Sequence, residues 1–201
     1  MSKEIKIIRD IKVEFDEKRI LRLIGYKKRE IEGSVKEIIL GEKERLSSLI
    51  SPLSIYTVID YEETNKHQIF DHARKVAICV CTIGKKLEDE SARLMKKNEM
   101  LRALVLDALG SEAVEEVAVH SDNIISKEAL KMNLWPSKRF SPGYGKWDIR
   151  EQKFVFKVVP AEGIGVKLNE SMMMVPRKSI SFRINFYAEK KYTTKKIEAI
   201  E

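Results

Sequence analysis

The sequence predicts an α+β fold, with a mixed or antiparallel sheet flanked by long helices. Three observations carry this expectation. Alternating or β-branched apolar residues recur over 5–15, 54–61, 75–83, 165–168 and 179–186, which is the pattern of strands. A helical register of apolar residues runs from about 85 to 132, far longer than any strand. Strands and helices also fail to alternate regularly, as a doubly wound parallel sheet requires.

In 5–15, Ile7, Ile11, Val13 and Phe15 fall on one face of a strand. Asp16 is placed to cap a short helix through Ile20, Leu21 and Ile24 to Gly25. From 29 to 49, Ile31, Val35, Ile38, Ile39, Leu46 and Leu49 recur at helical spacing until Ser51-Pro52 breaks the pattern. A polar, turn-like stretch at 64–68 separates the strand over 54–61 from a more buried one over 75–83, which Gly84 ends. In the long helical region, Leu101, Leu104, Val105, Ala108, Leu109, Ala113, Val114 and Val117 form a core face. Breaks are expected near Asn98 and Gly110. Pro136, Pro142, Gly143 and Gly145 make 134–148 a loop. Asp148 caps a helix over 149–159, and Pro160 follows its end.

The 201 residues are enough for one sizeable domain or two small ones. They are read as one domain over 1–201, with a basic tail over 188–201. A hydrophobic fraction of 43% and a charged fraction of 34% suit a soluble globular protein. No apolar run approaches the roughly 20 residues of a membrane span, and the start has no signal-like segment. A cytoplasmic location and no membrane partner are expected.

The net charge is +7. Residues 1–30 hold ten Lys/Arg against six Asp/Glu, and residues 177–201 hold seven against three. This excess is dispersed among acids and forms no basic stripe with stacking aromatics, so no nucleic-acid partner is expected. Cys79 and Cys81 sit two apart on a strand, where a disulfide would strain the extended backbone. They read as buried small hydrophobes. His67, His72 and His120 show no zinc-like spacing.

Common enzyme signatures are missing. Gly163-Ile164-Gly165 lacks the third glycine of a dinucleotide fingerprint, and there is no lysine-bearing phosphate loop. No Gly-x-Ser-x-Gly elbow and no His-Glu-x-x-His pair occurs. The segment Arg139-Phe140-Ser141-Pro142-Gly143-Tyr144 stands out instead. Arg139 offers a planar fork suited to a carboxylate. Ser-Pro-Gly fixes a tight turn, and Gly143 lets a ligand approach the main chain. Tyr144 adds a ring face and a hydroxyl. A surface turn that packs only on itself has the same composition.

These residues resemble the Arg-x-(Ala/Ser)-Pro-Gly-Tyr signature of the activation domain of cobalamin-dependent methionine synthase. Glu151-Gln152 and Phe154 are similar to the helix that follows it there. Ile164-Gly165-Val166-Lys167-Leu168-Asn169-Glu170-Ser171, then Met174, Pro176 and Ser179, resemble the family's next run. Upstream, Thr82-Ile83-Gly84 and Leu106-Asp107-Ala108-Leu109 resemble its Thr-Ile-Gly turn and helix. The motifs keep family order over about 76–187, whereas residues 1–75 match only loosely.

The resemblance implies a fold like that domain, S-adenosylmethionine as cofactor, and a component of a methyltransferase. It implies a role in reductive methylation of cob(II)alamin, with an electron donor such as a flavodoxin. Arg139 would hold the donor's carboxylate, Ser141 and Gly143 would offer backbone contacts, and Tyr144 would lie beside the ligand. Asp107 aligns with a family acid near the ligand's amino group, and its helix face carries Ala103, Gly110 and Ser111 with apparent room beside it. Tyr192 aligns with a family tyrosine. Glu170 and Ser171 either contact ligand or hydrogen-bond their loop, and Met172-Met173-Met174 reads first as core filler. The family's N-terminal acid has no counterpart. The Asp-x-His-x-x-Gly cobalamin motif is absent, since Asp71-His72 lacks its spacing and glycine. Cobalamin is therefore expected on a separate methionine synthase subunit, served in trans. The alternative is a reactivation or regulatory partner of another corrinoid methyltransferase, without its own catalysis.

Overall fold

The computed structural model describes residues 4–14, 17–25, 33–64 and 68–193. Phe15, Asp16, Ile31, His67 and the tail beyond residue 193 lie outside the described residues.

The chain opens with β1 (Lys6–Ile8) and two helices, α1 (Glu17–Leu23) and α2 (Gly33–Leu49). The paired strands β2 (Leu53–Asp60) and β3 (Ala73–Thr82) follow, then α3 (Lys86–Lys96) and α4 (Met100–Lys131). The short β4 (Trp135–Pro136) leads through the loop to a 3-10 turn, Ile149–Glu151, and α5 (Gln152–Val158). A two-stranded ribbon of β5 (Lys167–Leu168) and β6 (Met174–Val175) precedes β7 (Ser179–Tyr187).

The main sheet is antiparallel throughout, in the order β1-β2-β3-β7-β4. Alternation in β3 sends Ala77, Cys79 and Cys81 into one core and Val76, Ile78 and Val80 into another. The first core lies under the helices, where Val105, Leu109, Ala113 and Val117 of α4 meet Phe182, Ile184 and Phe186 of β7. Each fully buried Phe or Ile here contributes roughly 1.5–3 kcal/mol relative to exposure. The second core lies under Trp147, Val155 and Ile164. On that face β7 presents the buried polar residues Ser179, Ser181, Arg183 and Asn185.

Three expectations hold: the break near Asn98, the cap at Asp148 and the buried, unbridged cysteines. The helical region breaks at Asn98, which takes a left-handed φ of 61°. Asp148 caps the following turn by accepting from the Arg150 amide at 2.8 Å. Cys79 and Cys81 are free, fully buried and 3.7 Å apart at sulfur. Among the described residues no cluster of metal-binding side chains occurs, and no helix is long and apolar enough to cross a membrane.

Others need correction. The first strand covers only Lys6–Ile8, because Asp10 turns the chain with a φ of 56°. No break occurs at Gly110, and α4 runs unbroken for 32 residues. That glycine makes room for α3: a Cβ there would stand 2.7 Å from Leu87 Cδ2. The loop over 134–148 is partly sheet, with β4 and a Phe140–Arg183 bridge both pairing with β7. Pairing with an existing strand, rather than local propensity, makes β4 extended.

Candidate functional site

The 139–144 segment leaves the edge of β7. Phe140 exchanges two backbone hydrogen bonds with Arg183, at 3.0 and 2.9 Å. The chain then turns at Ser141-Pro142. Gly143 takes a φ of 90° and donates to the Trp147 carbonyl at 2.7 Å, and Trp147 donates to Tyr144 at 3.0 Å. A side chain at Gly143 would be strained by that φ and would crowd Ile149 Cδ1 at 3.3 Å. Pairing with β7 also sorts the segment's side chains. The Arg139 guanidinium lies 5.9 Å from the Phe182 ring, on the helix side. Phe140 goes to the opposite side and stacks on Trp147, centroids 6.4 Å apart.

Between this segment, α4 and the start of β7 lies a cleft of about 530 Å³. That volume falls in the range of small-molecule and cofactor sites. Arg139, Ser141 and Tyr144 line it with Glu115, Gln152 and Ser181. Apolar surface comes from Phe140, Ile149 and the three methionines. Arg139 is held by an ion pair to Glu115, each side chain roughly a quarter exposed. A carboxylate and a guanidinium therefore stand side by side at the cleft wall, matched to the two charges of an α-amino acid. Tyr144 is 68% exposed at the mouth, so its ring is accessible to a ligand or a partner. Ser181 donates to Gln152 Oε1 at 2.9 Å beneath.

The predicted residues divide. Arg139, Ser141 and Tyr144 share the cleft, and Gly143 shapes its turn. Asp107 does not line it. Its carboxylate is 2.9 Å from Lys178 Nζ, which also donates to Ser111 at 2.7 Å. The room expected beside Asp107 is only partly there: Gly110 packs on Leu87 of α3 and Lys178 reaches across, while the Asp107 side chain stays 44% exposed. Tyr192 lies beyond the far end of β7, stacked on His72 with centroids 4.5 Å apart. The strand length from Ser181 to Tyr187 alone is about 20 Å. Glu170 and Ser171 are exposed. Asn169 organises their turn, its Oδ1 accepting from the amides of Ser171 and Met173 at 3.0 and 2.9 Å. The methionine run is core filler only in part: Met174, in β6, packs against the second core. All three methionines line the cleft, and Met173, in the turn between β5 and β6, is 55% exposed.

Sequence reasoning missed Glu115. It is one of three acids, Glu112, Glu115 and Glu116, within about one helical turn, and spacing alone does not tell which one reaches the loop. In the fold, Glu112 and Glu116 face Arg19 at 3.2 and 3.6 Å, and Glu115 faces Arg139.

No curated protein matches this chain. A solved structure, the crystal structure of a MetH reactivation domain bound to AdoHcy, superposes with a TM-score of 0.67 at 13% identity. The match covers 94% of this chain and 80% of that one, and it shows a shared fold. Residues 52–199 match the family of the vitamin B12 dependent methionine synthase activation domain. This match begins well before residue 76, where the recognisable motifs start, and takes in β2. With the motif segment forming one wall of the cleft, the sequence and the fold agree: the chain belongs to the activation domain family of vitamin B12-dependent methionine synthase.

Proposed function

We propose that the cleft binds S-adenosylmethionine and presents its methyl group to a cobalamin carried by a separate subunit. The observation that carries this reading is the Arg139–Glu115 pair at the wall of an apolar cleft. The AdoHcy complex of the similar reactivation domain supports it.

In this reading Arg139 receives the ligand's carboxylate as a planar two-pronged donor. Glu115 turns to the ligand's ammonium. The backbone at Ser141 and Gly143 approaches the ligand closely, since the turn carries no bulk there. The Tyr144 ring, Ile149 and the methionines cover the apolar and planar parts. Met sulfur and aromatic faces are polarisable and suit a sulfonium neighbour. S-adenosylmethionine would supply an activated methyl to a partner's reduced cobalamin and leave the cleft as S-adenosylhomocysteine. The protein contributes position rather than acid–base groups, which is how a bimolecular step becomes effectively unimolecular. The electron for that reduced cobalamin would come from a separate donor, of flavodoxin type or other. Asp107 reaches such a ligand only after Lys178 releases it, and Tyr192, beyond the far end of β7, stands outside the site in this reading.

The test uses a cobalamin-loaded methionine synthase subunit in its cob(II)alamin form, with a chemical reductant and S-adenosylmethionine. The methylcobalamin absorbance spectrum is expected to develop faster when this chain is added. Equal rates with and without it would overturn the proposal.

A further inference from the structure

Among the described residues, three charged side chains are buried: Glu42, Glu112 and Arg183. Two of them are paired. Glu42 receives Arg45 and Arg102 at 2.8 and 2.6 Å, and Glu112 stands 3.2 Å from Arg19. Arg183 is 8% exposed, and its Nε has no hydrogen-bond partner. Burial lowers its pKa to about 10, so it remains a cation at neutral pH. Its partners are aromatic faces. The guanidinium carbon lies 5.2 Å from the Phe140 ring centroid and 5.7 Å from that of Phe70.

Burying a cation without a carboxylate is costly, and an apolar side chain of similar length avoids that cost. The location of Arg183 gives a reason for it. Phe140 stands between Arg139 and Ser141, both of which line the cleft. It is tied to Arg183 twice, through the two backbone hydrogen bonds and through the ring. Its ring also stacks on Trp147, whose own backbone closes the Gly143 turn. A flat, weakly hydrated guanidinium can stack in this way, whereas a lysine ammonium keeps its water and cannot.

We propose that Arg183 is a positioning residue for the cleft: its buried guanidinium, stacked on Phe140, clamps the 139–144 segment to β7 and so aims Arg139 at the ligand's carboxylate. The clamp acts through Phe140 and does not touch the ligand. Its consequence for affinity rests on the proposed function.

The experiment compares the full chain with Arg183→Met and Arg183→Lys. For Arg183→Met the thermal midpoint is expected to hold or rise. Hydrogen exchange in a peptide spanning 139–147 should quicken about tenfold, the loss expected for a desolvated cation–π contact. Exchange in β3 should not change, and the Kd for S-adenosylmethionine should rise about tenfold. Arg183→Lys should rescue neither exchange nor affinity. Wild-type exchange over 139–147 in Arg183→Met would overturn the clamp. Faster exchange across the whole sheet with a lower midpoint would also overturn it, because the role would then be structural only. If the wild type binds S-adenosylmethionine and Arg183→Met binds it equally well, this inference fails and the proposed function stands. No binding by the wild type overturns the proposed function and, with it, the claim that the clamp serves a ligand.

Discussion

Glu115 on α4 and Arg139 in the motif segment, 24 positions apart, form an ion pair at the wall of the cleft. The pair joins the two halves of the site and leaves Arg139 already oriented. If it recognises a zwitterion, both members matter. Glu115→Gln is expected to weaken S-adenosylmethionine binding about tenfold or more, as loss of a hydrogen bond to a charged group does. Calorimetric titration of the variant checks this, and unchanged affinity would remove Glu115 from the site.

Gly110 is a packing glycine rather than a helix break. Leu87 is fully buried and sits where a Cβ would go. Gly110→Ala is therefore expected to destabilise by about 1 kcal/mol, overpacking outweighing the gain in helix propensity. In a Leu87→Ala background the clash is gone, and the same change should stabilise by roughly 0.5–1 kcal/mol. Denaturant melts of the four proteins of this cycle give the answer. A destabilisation that persists without Leu87 would contradict the packing account.

Glu90 ties α3 to α2. Arg93 holds it at 2.6 Å and Arg45 at 2.6 Å, and together they lower its pKa to about 2 from an ordinary 4.5. A lowered folded-state value means the contribution is present above about pH 4.5 and is lost as pH falls towards 2. Glu90→Gln should therefore be less stable than the wild type at pH 7, by about 1 kcal/mol or less for a partly exposed network. The difference should shrink as pH falls through about 2 and be gone below it. Thermal midpoints measured across this range decide it, and a gap that does not depend on pH would contradict the ion-pair account.

Cys79 and Cys81 point into the helix-side core, and burial pushes the Cys79 thiol well above its ordinary value. Reaction requires a thiolate and access. A thiol reagent is expected to leave both untouched in the native protein and to label both after unfolding. Rapid labelling of the native chain would show that the sheet opens far more readily than its packing implies.

The legible parts of the sequence were those governed by local chemistry. Apolar, β-branched runs bounded by turn residues exposed β3 and β7, and Asp148 marked its own turn. The motif order named the family and the residues Arg139, Ser141 and Tyr144 that meet at the cleft. The rest depends on contacts between distant segments. Gly110 looks like a helix breaker until α3 is seen against it. Trp135-Pro136 becomes a strand only because Phe186 and Tyr187 stand beside it. Asp107 reads as facing free space because the sequence does not say that Leu87 packs on Gly110 or that Lys178 reaches across. Glu115 was passed over among neighbouring acids that the sequence cannot tell apart.

The central claim is that the cleft at the 139–144 segment is a methyl-donor site. Calorimetric titration with S-adenosylmethionine, for the wild type and for Arg139→Ala, tests it most directly. Saturable one-site binding by the wild type, weakened at least tenfold in Arg139→Ala, is the predicted result. No binding by the wild type, or undiminished binding by Arg139→Ala, would contradict it.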